Sequence, residues 1–143
     1  MLKGISPMIN PELLKILAEM GHGDEIVIGD GNFPAESMGK RCARCDGHGV
    51  NELLDAILQL FPLDTYLDKP VHLMEVPAGM CIETPIWDTY DEILSCHDSR
   101  GSSAIGSLER YAFYEEAKKA YAIIATGERA VYANLLLQKG VVE

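Results

Sequence analysis

Met20-Gly21-His22-Gly23-Asp24-Glu25-Ile26-Val27-Ile28-Gly29-Asp30 decides the fold, because a helical pattern ends at its left edge and a β-branched run begins within it. Upstream, Asn10-Pro11-Glu12 supplies an N-cap, a proline at the first helical position and an acid in the first turn. Leu13, Leu14, Ile16, Leu17 and Met20 then recur at helical spacing, so a helix is expected over 11–20, with Gly21 as its left-handed stop. Residues 25–29 read as a short buried strand. His22 thus sits bare between two glycines where helix gives way to strand, and Asp30 follows the strand's far end.

The same reading extends along the chain. Residues 50–61 return to helical periodicity, with Asn51 as cap and Pro62 as the stop. A strand is expected over 71–76 and a helix over 87–94. Residues 96–106, rich in Ser, Gly and Asp, read as a loop leading into a helix over 109–120. Apolar runs at 121–125 and 134–138 read as strands, and Thr126-Gly127-Glu128-Arg129 turns between them or opens a short helix. Helices alternating with continuously apolar strands imply an α/β layer fold whose sheet is buried on both faces. No repeat, linker or low-complexity tract divides the 143 residues, so a single domain over 1–143 is expected.

Charge narrows the partners. With 22 acidic against 12 basic residues, the formal charge of −10 repels phosphate backbones and anionic membranes, so nucleic acid is not an expected partner. Met1-Leu2-Lys3-Gly4-Ile5-Ser6-Pro7 lacks the apolar core of a signal peptide. No apolar run reaches the ~20 residues that span a bilayer, and the expected location is the cytosol. Acidic runs such as Asp88 to Glu92 and Glu115-Glu116 read as solvated helix faces.

Cys42-Ala43-Arg44-Cys45 with His48 looks like half a zinc site, for which Cys96-His97 could be the other half. A pair adjacent in sequence is awkwardly placed to chelate with the first, and the four cysteines are expected to be reduced thiols without metal. There is no Gly-x-Gly-x-x-Gly, P-loop or Gly-x-Ser-x-Gly pattern, so nucleotide chemistry and serine hydrolysis lack their usual support.

His22 is either a partner for a loop carbonyl or a proton carrier; an ordinary imidazole titrates near neutrality and can serve as acid or base. Asp30 is either a turn former or an acceptor for ligand hydroxyls at a strand's carboxyl end, where ligands of α/β sheets gather. Asp64 reads more strongly as a turn residue, because Asp is ordinary in the turn that follows Pro62. Arg110, Tyr114, Tyr132 and Asn134 fall at element boundaries, where two tyrosines and an amide could supply a flat apolar face and paired donor and acceptor to a sugar.

Several segments together resemble one family. Ile5-Ser6-Pro7, Pro11-Glu12-Leu13-Leu14, Met20-Gly21-His22-Gly23-Asp24-Glu25-Ile26, Phe33-Pro34, Asp46-Gly47 and Leu63-Asp64-Thr65-Tyr66 are similar to the fucose mutarotase branch of the ribose pyranase and fucose mutarotase family. So are Arg110-Tyr111-Ala112-Phe113-Tyr114-Glu115, Thr126-Gly127-Glu128-Arg129-Ala130 and Tyr132-Ala133-Asn134-Leu135-Leu136-Leu137. The Arg110 and Phe113-Tyr114-Glu115 segment favours the fucose branch, whereas Ala133 stands where that branch more often has glycine.

The resemblance implies a ribose pyranase-like α/β fold with a central mixed sheet flanked by helices. It also implies a cofactor-independent isomerase that interconverts the α and β anomers of L-fucose by ring opening and closing. His22 is implied as the proton donor, with Asp30, Asp64, Met74, Arg110, Tyr114, Tyr132 and Asn134 around the sugar. The base could be Tyr114, Asp30 or a bound water. A homo-oligomer is further implied, a ring-like decamer whose sites are completed by a neighbour's Tyr132 to Asn134 segment. Two alternatives use the same residues: a D-ribose pyranase and a non-catalytic monosaccharide-binding accessory.

Overall fold

The computed structural model describes residues 1–143 and places a six-stranded sheet between two layers of helix. In chain order the elements are α1 (Pro11–Glu19), β1 (Glu25–Gly29), α2 (Ala35–Met38), β2 (Cys42–Cys45), α3 (Val50–Leu58), β3 (Val71–Met74), α4 (Ile86–His97), β4 (Ile105–Leu108), α5 (Arg110–Lys119), β5 (Ala122–Thr126) and β6 (Leu135–Gln138). The strand order is β2-β5-β1-β6-β3-β4. β6 runs antiparallel to both β1 and β3, and the remaining pairs are parallel, so the five other strands all point the same way. The sheet is mixed, as expected.

Strand alternation divides the apolar side chains between two cores. Ile26, Ile28, Ile124, Leu135 and Leu137 face α1, α3 and α4, where Leu13, Leu54, Tyr90 and Leu94 are buried. Val27, Ile123, Ala125 and Leu136 face α2 and α5, burying Phe33, Phe113 and Ala117. Such double coverage is why β1 and β5 read as continuous apolar runs.

Several local expectations need correction. α1 begins as read, with Asn10 Oδ1 accepting from the Leu13 N–H at 2.8 Å. The left-handed residue is Gly23 (φ 86) rather than Gly21, because the chain leaves Met20 extended and turns only after His22. The helix over 50–61 starts from Gly49 rather than an Asn51 cap. Its first N–H groups find Glu52 (2.9 Å) and Glu128 (3.1 Å), while Asn51 Oδ1 is buried without a partner. α3 ends at Leu58, and two further backbone bonds to Ile57 O carry the chain to Pro62. Residues 96–106 are the end of α4, a 3₁₀ turn (Gly101–Ala104) and the start of β4 rather than one loop. Cys42–Cys45 is itself an edge strand. Its period of two sends Ala43 and Cys45 into one core and turns Cys42 to the other face, so the two thiols cannot converge on one ion. All four cysteines are free thiols, and burial pushes the Cys45 thiol up to about 11.

Half-buried Glu25 opens β1. Burial, then Glu116, raise its carboxyl to about 7 against the opposing pull of Lys119. A folded value above the unfolded one means the associated stability is present below about pH 4.5 and lost as pH rises through about 7. Glu25→Gln is therefore expected to raise Tm at pH 8 by about 3 °C, on the order of 1 kcal/mol after solvent screening, and to change it little at pH 4. Equal shifts at both pH values in thermal melts would contradict this origin.

Candidate active site

The five parallel strands put their carboxyl ends on one edge of the sheet, and the amino end of antiparallel β6 joins them there. Asp30 follows β1, Met74 ends β3, and Arg110 opens α5 directly after β4. Tyr132 and Asn134 lead into β6. These residues and Tyr114 line one cavity of about 210 Å³, together with Asn32, Phe33 and Val131. A larger concavity of about 400 Å³ beneath residues 1–14 is lined by no titratable side chain, so it offers no proton-transfer chemistry.

Within the cavity the backbone is tightly built. The Asp30 N–H donates to Asn134 Oδ1 at 2.8 Å, and Asp30 Oδ1 accepts from the Asn32 N–H at 3.0 Å. Gly31 lets the chain pass Glu128: a Cβ there would lie 2.9 Å from the Glu128 carbonyl oxygen, to which the Gly31 N–H donates. Burial pushes the Asp30 carboxyl above its ordinary value, opposed by N–H groups of Asn32, Ala133 and Phe33. A carboxylate whose pKa is raised is a stronger base than an ordinary one.

The opposite wall comes from α5. Glu109 caps the helix by accepting from the Tyr111 and Ala112 N–H groups. Arg110 and Tyr114, four residues apart, share a face, with the guanidinium carbon 5.6 Å from the Tyr114 ring centre. Phe33 packs against Tyr114 at 5.8 Å between ring centres. Tyr132 is the one non-glycine residue with positive φ (55°), a conformation costing roughly 1–3 kcal/mol that functional sites characteristically retain.

His22 and Asp64 lie elsewhere. β1 separates His22 from Asp30, and its five residues alone span about 13 Å. At the amino end of β1, His22 Nε2 stands 3.4 Å from Asp64 Oδ2, with the imidazole 47% exposed and the carboxylate 3%. Gly23 anchors the histidine loop by donating to Lys139 O at 2.8 Å. Burial acts to raise the Asp64 carboxyl, but the Tyr66 N–H, His22 and Gln138 outweigh it and hold it below the usual value. The Tyr66 ring lies 5.4 Å from the imidazole, and Gln138 Nε2 donates to Asp64 Oδ2 at 3.1 Å. Arg100 pins this loop by donating to Asp64 O and Leu67 O, and is itself gripped by Asp98.

One chain therefore gathers Asp30, Met74, Arg110, Tyr114, Tyr132 and Asn134 around a cavity and holds His22 with Asp64 at the other edge of the same sheet. Tyr132 and Asn134, expected from a neighbour, lie in the cavity of their own chain beside Asp30, and within one chain the length of β1 keeps His22 and Asp64 apart from that cavity. Sequence reading also passed over Phe33 in the cavity wall and Tyr66, Gln138 and Arg100 beside the histidine. Tyr66 had a signal, since an aspartate two residues ahead of it is the pattern of an Asx turn. Arg100 and Gln138 had none.

The sequence profile of the RbsD / FucU transport protein family matches residues 3–142. The chain belongs to this family. Among RbsD / FucU relatives, the fucose mutarotase of Danio rerio is 50% identical over 147 residues, covering 99% of this chain and 94% of that protein. The crystal structure of FucU from Bifidobacterium longum superposes with a TM-score of 0.97 at 64% identity, covering 99% of this chain and all of that one. The fucose mutarotase of Streptococcus pneumoniae, solved in complex with L-fucose, superposes at 0.94 with 50% identity, covering 99% of this chain and 100% of that one. Bacillus subtilis RbsD complexed with D-ribose is more distant, at 0.71 and 27% identity over the full length of both chains. No helix is long and apolar enough to cross a membrane.

Proposed function

We propose that the chain is a cofactor-independent L-fucose mutarotase, an isomerase that interconverts the α and β anomers of L-fucose. The observation that carries this reading is the cavity at the carboxyl edge of the sheet, where a buried carboxylate and a buried amide face a wall of Tyr114, Phe33 and Met74. Polar groups on one side suit sugar hydroxyls, and an apolar wall suits a C6 methyl. Identity of about half to named fucose mutarotases, against 27% to RbsD, supports fucose over ribose.

The chemistry is ring opening without net oxidation. A proton reaches the ring oxygen as the bond from that oxygen to C1 breaks, and the anomeric hydroxyl gives up its proton as C1 becomes a carbonyl. Rotation about the C1 to C2 bond and reclosure with the proton transfers reversed yield the other anomer. Asp30, raised by burial, takes the anomeric proton; His22 supplies the ring-oxygen proton, with Asp64 fixing its ring. Arg110, Tyr132 and Asn134 hold the sugar.

The 13 Å or more between the two edges is longer than a monosaccharide, which supports a homo-oligomer in which His22 of one copy enters the cavity of the next; we propose that this assembly is a ring-like decamer in the cytoplasm. Exchange NMR on anomeric protons tests the reaction: native protein is expected to accelerate L-fucose exchange well above the spontaneous rate. Stronger acceleration of D-ribose pyranose to furanose exchange would make it a pyranase. Saturable binding without acceleration would support a sugar-binding accessory, in keeping with the transport description of the family.

A further inference from the structure

Two side chains outside the cavity hold its most constrained residue. Trp87 and Tyr90 lie three residues apart on α4, on the face turned toward the sheet. The Trp87 indole N–H donates to Tyr132 O at 2.8 Å, and the Tyr90 hydroxyl donates to Ala133 O at 2.7 Å. These consecutive carbonyls belong to the left-handed Tyr132 and to the residue after it, just before the β6 ladder begins at Leu135. Neither Trp87 nor Tyr90 lines the cavity. Both reach it only through the peptide backbone of the segment that carries Tyr132 and Asn134.

We propose that Trp87 and Tyr90 are positioning residues for sugar binding, holding Tyr132 in its left-handed conformation and thereby aiming its ring into the cavity. A left-handed tyrosine persists only where its surroundings over-determine it, and here two oriented donors fix the peptides on its carboxyl side. Tyr90 is fully buried, so its hydroxyl has no water to turn to and the bond to Ala133 O is kept. Asn134 spends its Oδ1 on the Asp30 N–H, which anchors that end of the segment separately, so the two donors act on the placement of Tyr132.

The inference rests on the fucose mutarotase reading, and the test separates the two. Trp87→Phe and Tyr90→Phe each delete one donor and keep an aromatic ring. Fucose exchange is measured by NMR across sugar concentrations, fucose affinity by calorimetry and folding by thermal melts. Tyr132 packs on the sugar and moves no proton, so loss of its placement weakens ground and transition states alike. Each variant is expected to raise KM and Kd for fucose roughly five- to tenfold, with kcat within about twofold and an unchanged pH profile. In a Tyr132→Ala background, Trp87→Phe is expected to add less than about a twofold change, since the residue it positions is gone.

Native KM in both variants, even with lowered Tm, would show a merely structural role and overturn the inference alone. Additive effects in the Tyr132→Ala background would overturn it too. Native protein that neither binds fucose nor speeds its exchange would overturn the parent reading and this inference with it. Trp87 is partly exposed, so its variant is the safer to fold should the buried Tyr90→Phe be lost.

Discussion

His22→Ala is expected to cut the protein's acceleration of L-fucose anomer exchange by ~10²- to 10⁴-fold while leaving the fold in place. The size follows from removing a positioned acid at the ring oxygen, whose protonation makes it a leaving group. The selectivity follows from the surroundings. The imidazole is about half exposed and stands against the Tyr66 ring and the Asp64 carboxylate, so deleting it leaves a gap open to solvent rather than a core cavity. Gly23 holds the loop through its own backbone bond to Lys139. Thermal stability should fall by on the order of 1 kcal/mol, because buried Asp64 loses the imidazole but keeps its bonds from the Tyr66 N–H and Gln138. Exchange NMR at matched concentrations, with melts alongside, reads both effects. Native-like exchange in the variant would remove His22 from the mechanism and leave Asp30 and Tyr114 to carry the proton transfers alone.

The elements easiest to read from sequence were those buried on one clear period. α1 carried its cap, its proline and its apolar stripe, and β1, β5 and β6 were uninterrupted apolar runs because helices cover both faces of the sheet. The edge strands were not legible. β2 exposes Arg44 and half exposes Cys42, and β4 is Ile105-Gly106-Ser107-Leu108 with little apolar character, because an edge strand is covered on fewer sides. The site divides similarly. Asp30 was readable as a residue at a strand's carboxyl end, and the strand between it and His22 already implied that the two lie at opposite edges. The gathering of Arg110, Tyr114 and Asn134 at Asp30 depends on strand order, which local patterns do not encode. The bonds from Trp87 and Tyr90 join positions more than 40 residues apart and leave no local mark.

The separation of His22 from the cavity makes a second large effect expected: two inactive variants should restore each other. Asp30→Asn keeps the shape of the site but removes the base, so alone it should lose activity on the scale of His22→Ala. In an assembly where His22 of one copy enters the cavity of the next, a site is complete whenever an Asp30→Asn chain donates its histidine to a His22→Ala chain. With equal amounts unfolded, mixed and refolded together, random head-to-tail pairing completes about a quarter of the sites. Activity should therefore rise from near zero to about a quarter of native, and only after the subunits have been allowed to exchange. Simple mixing of preformed assemblies should give nothing until exchange occurs, which separates true complementation from contamination. If one chain supplied both groups to its own sugar, every chain in the mixture would carry one defect and no site would recover. The result is insensitive to modest stability losses, because it compares mixed and unmixed samples of the same two proteins. A quarter of native activity would make the sheet's two edges halves of one catalytic site, joined across a subunit boundary by the length of β1.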